Sequence, residues 1–392
     1  GQVRVSLNDA KRFIPASNMK IVVSAAALLR DGPERRFTTE LWGVGGAGER
    51  GEIRGNLVLP ATGDPTLSER FWEDDEAPLR ALVDTLAARG VTAVNGALVI
   101  DRTAWDTVSV PSSWMVGNVP SGFSAAPAAF AIGEGATSIV VEAAEEPGEP
   151  ATVRRVGGGT EGFVVSDVRT LARNDPGDTR LGTDWRPESG VHVVRGTIRQ
   201  GRTDTIEVAT RLAEREAGIR LLQLIEAAGI PVRDGFRIVS DTAETVGGGC
   251  LAGRVRSCDG AFPVARIESP PLLEVSKALL EPSQNWITEQ VMRSLAGEAP
   301  LASRSAALDT VEAVLFREAG VDTLDLSLQD GSGLSAYNLL TPRAIASVLR
   351  RMLLTPYPAG WRDALAAPGE EDSTLEYRLD GFEGRVQAKT GT

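Results

Sequence analysis

The amino-acid sequence predicts an α+β fold in which one domain is interrupted by two others. The first observation is a run directly after Lys20 that is apolar on nearly every side, as expected of a helix buried all round. The second is a change after residue 36, where short strand patterns alternate with glycine-containing turns. The third is the return of long helical patterns after Pro270-Pro271. A chain of 392 residues is also too long for one ordinary hydrophobic core.

These changes of pattern predict the domain boundaries. Residues 1–36 and 270–392 form the interrupted domain in two pieces. Residues 37–135 and 210–269 form a mixed α+β domain inserted into it. Residues 136–209, where the helical signals fade, form a small all-β insertion within that second domain.

The individual elements follow from local patterns. Alternating Val3, Val5 and Leu7 predict a strand and turn over residues 1–11, and the breaker at Asp31-Gly32-Pro33 ends the buried helix. In the α+β domain the patterns predict strands at 38–42, 52–59, 97–101, 236–239 and 262–267, and helices at 78–89 and 212–228.

Short runs rich in β-branched residues predict the strands of the insertion. They lie at 138–142, 152–156 and 163–165, and residues 191–199 and 203–208 predict a hairpin around the turn at 200–202. After residue 270 the apolar periodicity predicts helices at 272–280, 285–295, 302–319 and 342–354, and a final strand at 384–392.

Charge and hydropathy exclude several classes of partner. The net charge of −12 argues against nucleic acid and against an anionic membrane. The longest apolar run is far too short to span a bilayer. The chain opens on Gly1 without a basic leader, so we expect either a removed signal peptide or a fragment.

Cysteine and histidine are scarce. Cys250 and Cys258 bracket a short polar loop and could close a small disulfide, although two buried or free thiols fit the sequence nearly as well. The only histidine, His192, lies in a strand pattern and is more typical of a structural residue. A single histidine disfavours a zinc site and a Ser-His-Asp triad, so we expect no metal and no cofactor.

A hydroxyl and an amine lie three positions apart where the buried helix begins. Ser17 and Lys20 share a helix face, and the first turn offers unpaired N–H groups that suit a developing anion. Burial should lower the pKa of Lys20 and make it a proton acceptor. The alternative without a catalytic role is that Ser17 is a helix N-cap and Lys20 a solvent-exposed cation. However, only four of the 41 basic residues are lysines (Lys11, Lys20, Lys277 and Lys389), and one is kept here among apolar residues.

Two further triplets follow in the second piece of the interrupted domain. Ser283-Gln284-Asn285 lies between two predicted helices, and Lys389-Thr390-Gly391 lies on the final strand pattern. Each triplet alone is weak, because the first is typical of a helix cap and the second of a strand end. In the order S-x-x-K, S-x-N, K-T-G they form a strong signature of serine acyl-enzymes.

This signature, together with further motifs, resembles the class C low-molecular-mass penicillin-binding proteins, a family of D-alanyl-D-alanine carboxypeptidases/endopeptidases. The further motifs are Gly63-Asp-Pro-Thr-Leu67, Asp330-Gly-Ser-Gly-Leu-Ser335, Asn338, and Ala388-Lys-Thr-Gly-Thr392. The resemblance implies a penicillin-binding/β-lactamase-like serine transpeptidase domain, an antiparallel sheet with helices, that is interrupted by the mixed α+β domain and its all-β insertion. It also implies an extracytoplasmic location, periplasmic or secreted.

Two departures from the family pattern stand out. Gln284 takes the place of the usual aspartate, and the family continues past K-T-G with further strands of the catalytic domain. We therefore expect the strand over 385–392 to expose unpaired backbone groups. On that reading the 392-residue chain is a poorly stable, weakly acylated fragment of a longer protein.

The resemblance implies a role for each catalytic residue. Ser17 attacks the D-Ala-D-Ala carbonyl and Lys20 accepts its proton, while Ser283 and Lys389 relay the proton to the leaving amine. Which lysine acts as the base is unsettled for this chemistry. Asn285 would bind the peptide side of the substrate.

The terminal triplet is implied to bind the substrate carboxylate. Lys389 and Thr390 would contact the carboxylate, and Gly391 would allow close approach of the substrate backbone. The oxyanion would lie between the backbone N–H groups of Ser17 and Thr392. The implied partners are peptidoglycan stem peptides and β-lactam antibiotics.

Two rival functions remain open at this point. A β-lactamase or esterase shares the fold and nucleophile, but no Tyr-x-Asn motif occurs among Tyr337, Tyr357 and Tyr377. A catalytically inactive wall-binding protein is the other alternative, and the intact S-x-x-K, S-x-N and K-T-G motifs count against it.

Overall fold

The computed structural model describes residues 5–106, 110–156, 164–186, 188–297 and 303–391. Within these residues no helix is both long and apolar enough to cross a membrane.

Helices and strands lie close to the predicted positions through most of the chain. The helices are α1 (Met19–Asp31), α2 (Ala77–Ala88), α3 (Ala213–Ala227), α4 (Leu272–Leu280), α5 (Asn285–Ser294), α6 (Arg304–Val314), α7 (Pro342–Met352) and α8 (Pro358–Asp363), and a π-helical turn over Leu315–Ala319 continues α6. The strands are β1 (Thr38–Gly43), β2 (Glu52–Ile53), β3 (Leu57–Pro60), β4 (Ala93–Val94), β5 (Leu98–Asp101), β6 (Ala136–Glu142), β7 (Thr152–Arg155), β8 (Val164–Leu171), β9 (Arg180–Arg186), β10 (Val191–Arg199), β11 (Thr203–Ala209), β12 (Phe236–Val239), β13 (Thr245–Gly247), β14 (Cys250–Leu251), β15 (Phe262–Glu268), β16 (Leu326–Ser327) and β17 (Leu339–Leu340).

A five-stranded mixed sheet forms the centre of the α+β region, in the order β12-β5-β3-β1-β15. Successive side chains of a strand point to opposite faces. In β5, accordingly, Leu98 and Ile100 join the apolar cluster that includes α2 and α3, while Val99 joins a second cluster beneath the β13–β14 hairpin. Cys250 and Cys258 are joined by a disulfide beside that second cluster.

The all-β region contains two three-stranded sheets, β8-β10-β9 and β11-β6-β7, which share one apolar core. The prediction that β10 and β11 pair with each other as a hairpin is wrong. The turn forms, with Arg202 N–H donating to Arg199 O, but β10 pairs with β8 and β9 whereas β11 pairs with β6. Ile198 of β10 and Val208 of β11 are both buried in the shared core, so the chain crosses from one sheet to the other at this turn.

Helix α1 lies at the centre of the helical region, against α4, α5, α6 and α7. Ten of its thirteen residues are buried, as the sequence predicts. Among the described residues of this region the strand pairing is limited to the β16–β17 ladder and isolated bridges.

The strands predicted at the two ends of the chain do not form within residues 5–11 and 384–391. Val5 and Leu7 are 86% and 80% exposed, and near the other end Ala388 N–H donates to Ala366 O in a single bridge. A strand needs a continuous ladder of partners, and alternation in sequence does not supply one.

The domain boundaries remain a prediction. The apolar cluster around α1 also includes Ala125, Ala128 and Ala131, together with Ala209 and Ala213, so side chains from the predicted insertions are buried against the helical region.

The all-β insertion is predicted to be dispensable for catalysis, and the structure gives a place to remove it. Ser138 of β6 faces Glu207 of β11, and Thr210 N–H donates to Gly135 O at 2.8 Å. Replacing residues 139–206 with Asn-Gly, which suits a two-residue hairpin turn, should keep the chain folded and labelled by fluorescent penicillin. Arg155→Ala in the full chain is the control, because the deletion also breaks the Arg155–Glu216 ion pair. A folded deletion variant that is not labelled, beside a labelled control, would show that the insertion shapes the site.

Candidate active site

Ser17 lies in a short 3-10 turn, Ala16–Asn18, that leads directly into α1. The turn is held closely by the loop over residues 330–335. A Cβ atom added at Gly333 would come within 1.9 Å of Ala16 O, so only glycine allows the loop to lie this close to the Ser17 backbone. Ser17 itself remains partly exposed.

Lys20 follows one turn later and its side chain is completely buried. Its Nζ lies 3.1 Å from Ser17 Oγ, 2.6 Å from Asn285 Oδ1 and 2.8 Å from the backbone oxygen of Ser332. The nitrogen therefore has three oxygen neighbours, one from each of three separate parts of the chain.

The surroundings of Lys20 favour the neutral amine. Burial, followed by the charge of Lys389, lowers the pKa of Lys20 to about 7, while Glu289 and Asp330 act in the opposite direction. The lowered pKa that the sequence predicts for a lysine in this helix is thus found, with burial as its main cause.

The second triplet lies where α5 begins. Asn285 accepts from Lys20 through Oδ1 and donates through Nδ2 to Phe123 O at 2.8 Å. Gln284 is the N-cap of α5, because its Oε1 accepts from Trp286 N and Ile287 N, and its Nε2 donates to Glu134. Its amide therefore has structural partners on both its oxygen and its nitrogen.

Ser283 has an uncommon backbone conformation, with φ of +67°. A residue other than glycine in this region is strained and is often found at functional sites. Among the described residues its hydroxyl has no hydrogen-bond partner, so it is available to a substrate.

The third triplet packs against the turn that carries Ser17. A Cβ atom at Gly391 would lie 2.8 Å from Asn18 Nδ2 and 3.1 Å from Pro15 O. Lys389 is 8% exposed and its Nζ donates to Thr390 O at 3.0 Å. Burial lowers the pKa of Lys389 to about 8. Thr392 lies outside the described residues.

Two buried carboxylates lie beside Lys20. From the sequence, Asp330 is named as part of a motif but is given no role, and Glu289 is not singled out. Asp330 accepts from Trp114 Nε1, Gly333 N, Ser335 N and Asn338 Nδ2. Glu289 accepts from the N–H groups of Gly331 and Ser332. The spacing contained a signal for Glu289, because it lies four residues after Asn285 and therefore on the same face of the helix.

His192 is buried against Trp185, with their ring centroids 4.5 Å apart. Burial, with Arg211 and Arg155 nearby, lowers the pKa of His192 to about 4, so it is neutral under ordinary conditions. Within the part of the chain that the structure describes, no group of three histidine, cysteine, aspartate or glutamate residues is arranged to hold a metal ion.

The whole chain is similar to proteins of one known family. The model of the D-Ala-D-Ala carboxypeptidase 3 (S13) family matches residues 1–392. A D-alanyl-D-alanine carboxypeptidase of Actinomadura sp. (strain R39) is 32% identical over 407 residues, which cover 100% of this chain and 71% of that protein.

Solved structures share the fold. Penicillin binding protein 4 from Haemophilus influenzae is similar with a TM-score of 0.82 at 23% identity, over 100% of this chain and 82% of the other. The same protein complexed with a β-lactam gives a TM-score of 0.77 at 23% identity, over 100% and 81%. The predicted α+β fold class is therefore confirmed. The chain belongs to the D-Ala-D-Ala carboxypeptidase 3 (S13) family, and its predicted membership of the class C low-molecular-mass penicillin-binding proteins is confirmed.

Proposed function

We propose that this protein is a serine D-alanyl-D-alanine carboxypeptidase that acts on peptidoglycan stem peptides outside the cytoplasm. Ser17 forms the acyl-enzyme, and β-lactams inhibit the enzyme by acylating the same hydroxyl. The observation that carries the proposal is the distance of 3.1 Å between Ser17 Oγ and the nitrogen of a wholly buried lysine. Membership of the carboxypeptidase family supports the reaction class.

The hydrogen bonds of Lys20 suit a general base. A neutral amine has two N–H groups and one lone pair. The oxygens of Asn285 and Ser332 can accept the two N–H groups at 2.6 and 2.8 Å, which leaves the lone pair for the hydroxyl of Ser17. An amine with a pKa of about 7 is neutral in a large fraction of molecules at neutral pH, where a general base is most effective.

The reaction then proceeds in two halves. Ser17 Oγ attacks the carbonyl carbon of the penultimate D-alanine as its proton passes to Lys20 Nζ. When the tetrahedral intermediate collapses, the C–N bond breaks, and the proton passes from Lys20 through the Ser283 hydroxyl to the leaving amine. Water then attacks the ester, the acid product leaves, and the Ser17 hydroxyl regains its proton.

The cation of Lys389 is assigned to the terminal carboxylate of the substrate. With Thr390 it would orient the scissile bond over Ser17, and the strained backbone at Ser283 would present its hydroxyl to the leaving group. The backbone N–H groups of Ser17 and Thr392 are assigned as the hydrogen-bond donors to the oxyanion. Each such donor lowers the free energy of the transition state by roughly 3–4 kcal/mol.

The proposed function predicts two products that can be measured together. A pentapeptide ending in D-Ala-D-Ala should lose its terminal D-alanine, and benzylpenicillin should add once to the intact protein by mass spectrometry. Ser17→Ala should abolish both, because no nucleophile remains. Ser24→Ala is the matched control, since Ser24 lies in the same helix and its buried hydroxyl donates to backbone oxygens of that helix. An adduct that persists in Ser17→Ala would overturn the assignment.

Rapid turnover of the β-lactam without release of D-alanine would favour a β-lactamase.

The pKa values of the two lysines predict a bell-shaped pH profile for acylation by benzylpenicillin. The rate should rise with pH as Lys20 loses its proton near a pKa of about 7 and fall as Lys389 loses its charge near about 8. Because the two cations repel each other, the two measured midpoints belong to the pair. Melting temperatures over the same range provide the control for unfolding. A rate that does not change between about pH 6 and pH 8 would rule out Lys20 as the titrating base.

A further inference from the structure

A buried polar stripe runs along one face of α5. Asn285, Glu289 and Arg293 are spaced four residues apart, so they follow one another along the same side of the helix. The first contacts Lys20 and the last pairs with Asp106 at 2.9 Å. Glu289, between them, is completely buried and belongs to none of the three sequence triplets.

The carboxylate of Glu289 holds one short stretch of backbone. Its Oε1 accepts from Gly331 N at 2.9 Å and from Ser332 N at 2.7 Å. These two N–H groups are buried, and a buried N–H group without an acceptor destabilises the fold. Glu289 therefore fixes the position of the Ser332 backbone.

The other side of Ser332 contacts the proposed base. Its carbonyl oxygen lies 2.8 Å from Lys20 Nζ and takes one of the two N–H groups of the amine. If this carbonyl moved, that N–H group would turn towards another acceptor. Asn285 Oδ1, at 2.6 Å, already accepts the other N–H group, so the next oxygen is Ser17 Oγ, at 3.1 Å, where the lone pair is needed. The direction of the lone pair therefore depends on the position of Ser332.

We propose that Glu289 is a positioning residue for Lys20, because its carboxylate holds Ser332 so that the Ser332 carbonyl directs the amine lone pair at Ser17. This inference rests on the proposed function. Glu289 does not contact the nucleophile, and it acts through the backbone of the loop over residues 330–335 and through its charge.

The charge of Glu289 has a definite sign of effect on Lys20. A carboxylate nearby favours the ammonium, so Glu289 raises the pKa of Lys20 against the larger effect of burial. Burial and Asp330 raise the pKa of Glu289 itself to about 7, so Glu289 and Lys20 titrate over the same pH range and the measured midpoint belongs to the pair. Three other charged groups act on Lys20 and Glu289. They are Lys389 at the end of the chain, Asp330 in the loop over residues 330–335, and Arg304 in α6.

The substitution Glu289→Gln separates the charge from the contact. Glutamine keeps Oε1 as an acceptor for both N–H groups but removes the negative charge, so the pKa of Lys20 should fall. The rising limb of the pH profile for acylation by benzylpenicillin should move to lower pH by about 0.5 unit or more. When each rate is divided by the plateau rate of the same protein, acylation of the variant below the midpoint should be about threefold faster than that of the wild type.

The substitution Glu289→Asp separates the contact from the charge. Aspartate is shorter by one methylene group, so it cannot reach both N–H groups in the same geometry. Acylation should fall about tenfold or more at every pH while the midpoint of the rising limb stays in place. This variant also decides the question if Glu289→Gln fails to fold.

Asp101→Asn is the matched control for the loss of a buried carboxylate. Asp101 is 2% exposed and likewise holds two loop N–H groups, those of Thr103 and Gly253, but in the α+β region. It should lower the melting temperature without moving the pH profile. An unmoved midpoint in folded Glu289→Gln, or a wild-type rate in Glu289→Asp, would overturn the inference. Failure of the wild-type protein to form a penicillin adduct would instead overturn the proposed function, and the inference with it.

Discussion

The burial of one amine is the constraint on which this structure depends. Burying the charge of a wholly enclosed lysine costs free energy, so its pKa is lowered and it loses its proton more readily. Its N–H groups must then find hydrogen-bond acceptors inside the protein. Helix α1 supplies the enclosure, because nearly every side of it is apolar. The acceptors come from Asn285 and Ser332, which are 265 and 312 residues away in sequence. The fold brings both to the same nitrogen.

The α+β region also supports the site from outside the helical region. Phe123 O accepts from Asn285, Glu134 accepts from Gln284, and Trp114 donates to the buried carboxylate of Asp330. These contacts hold the start of α5 and the loop over residues 330–335 from one side, while α1 packs against α5 from the other. The all-β region makes no comparable contact with the sequence triplets among the described residues, which is why its removal is expected to spare the chemistry.

Sequence reasoning predicted the parts of this site that depend on local pattern. Apolar periodicity predicted the buried helix and the start of α5 at Asn285. The three-residue spacing predicted that the side chains of Ser17 and Lys20 lie together. It missed the contacts that Glu289 makes with Gly331 and Ser332, because these two backbone N–H groups lie 42 and 43 residues away along the chain and leave no local pattern. It also wrongly paired β10 with β11. Their turn is local, but the choice between two sheets depends on which faces are buried together.

The neutrality of Lys20 near physiological pH can be measured directly, because the chain has only four lysines. Protein labelled with carbon-13 at the lysine Cε should give four resonances, which single lysine-to-arginine variants would assign. We expect one resonance, absent in Lys20→Arg, to titrate with a pKa of about 7, and another, that of Lys389, near about 8. If all four resonances instead titrate near about 10, the ordinary value for lysine, Lys20 is a charged residue and cannot be the base.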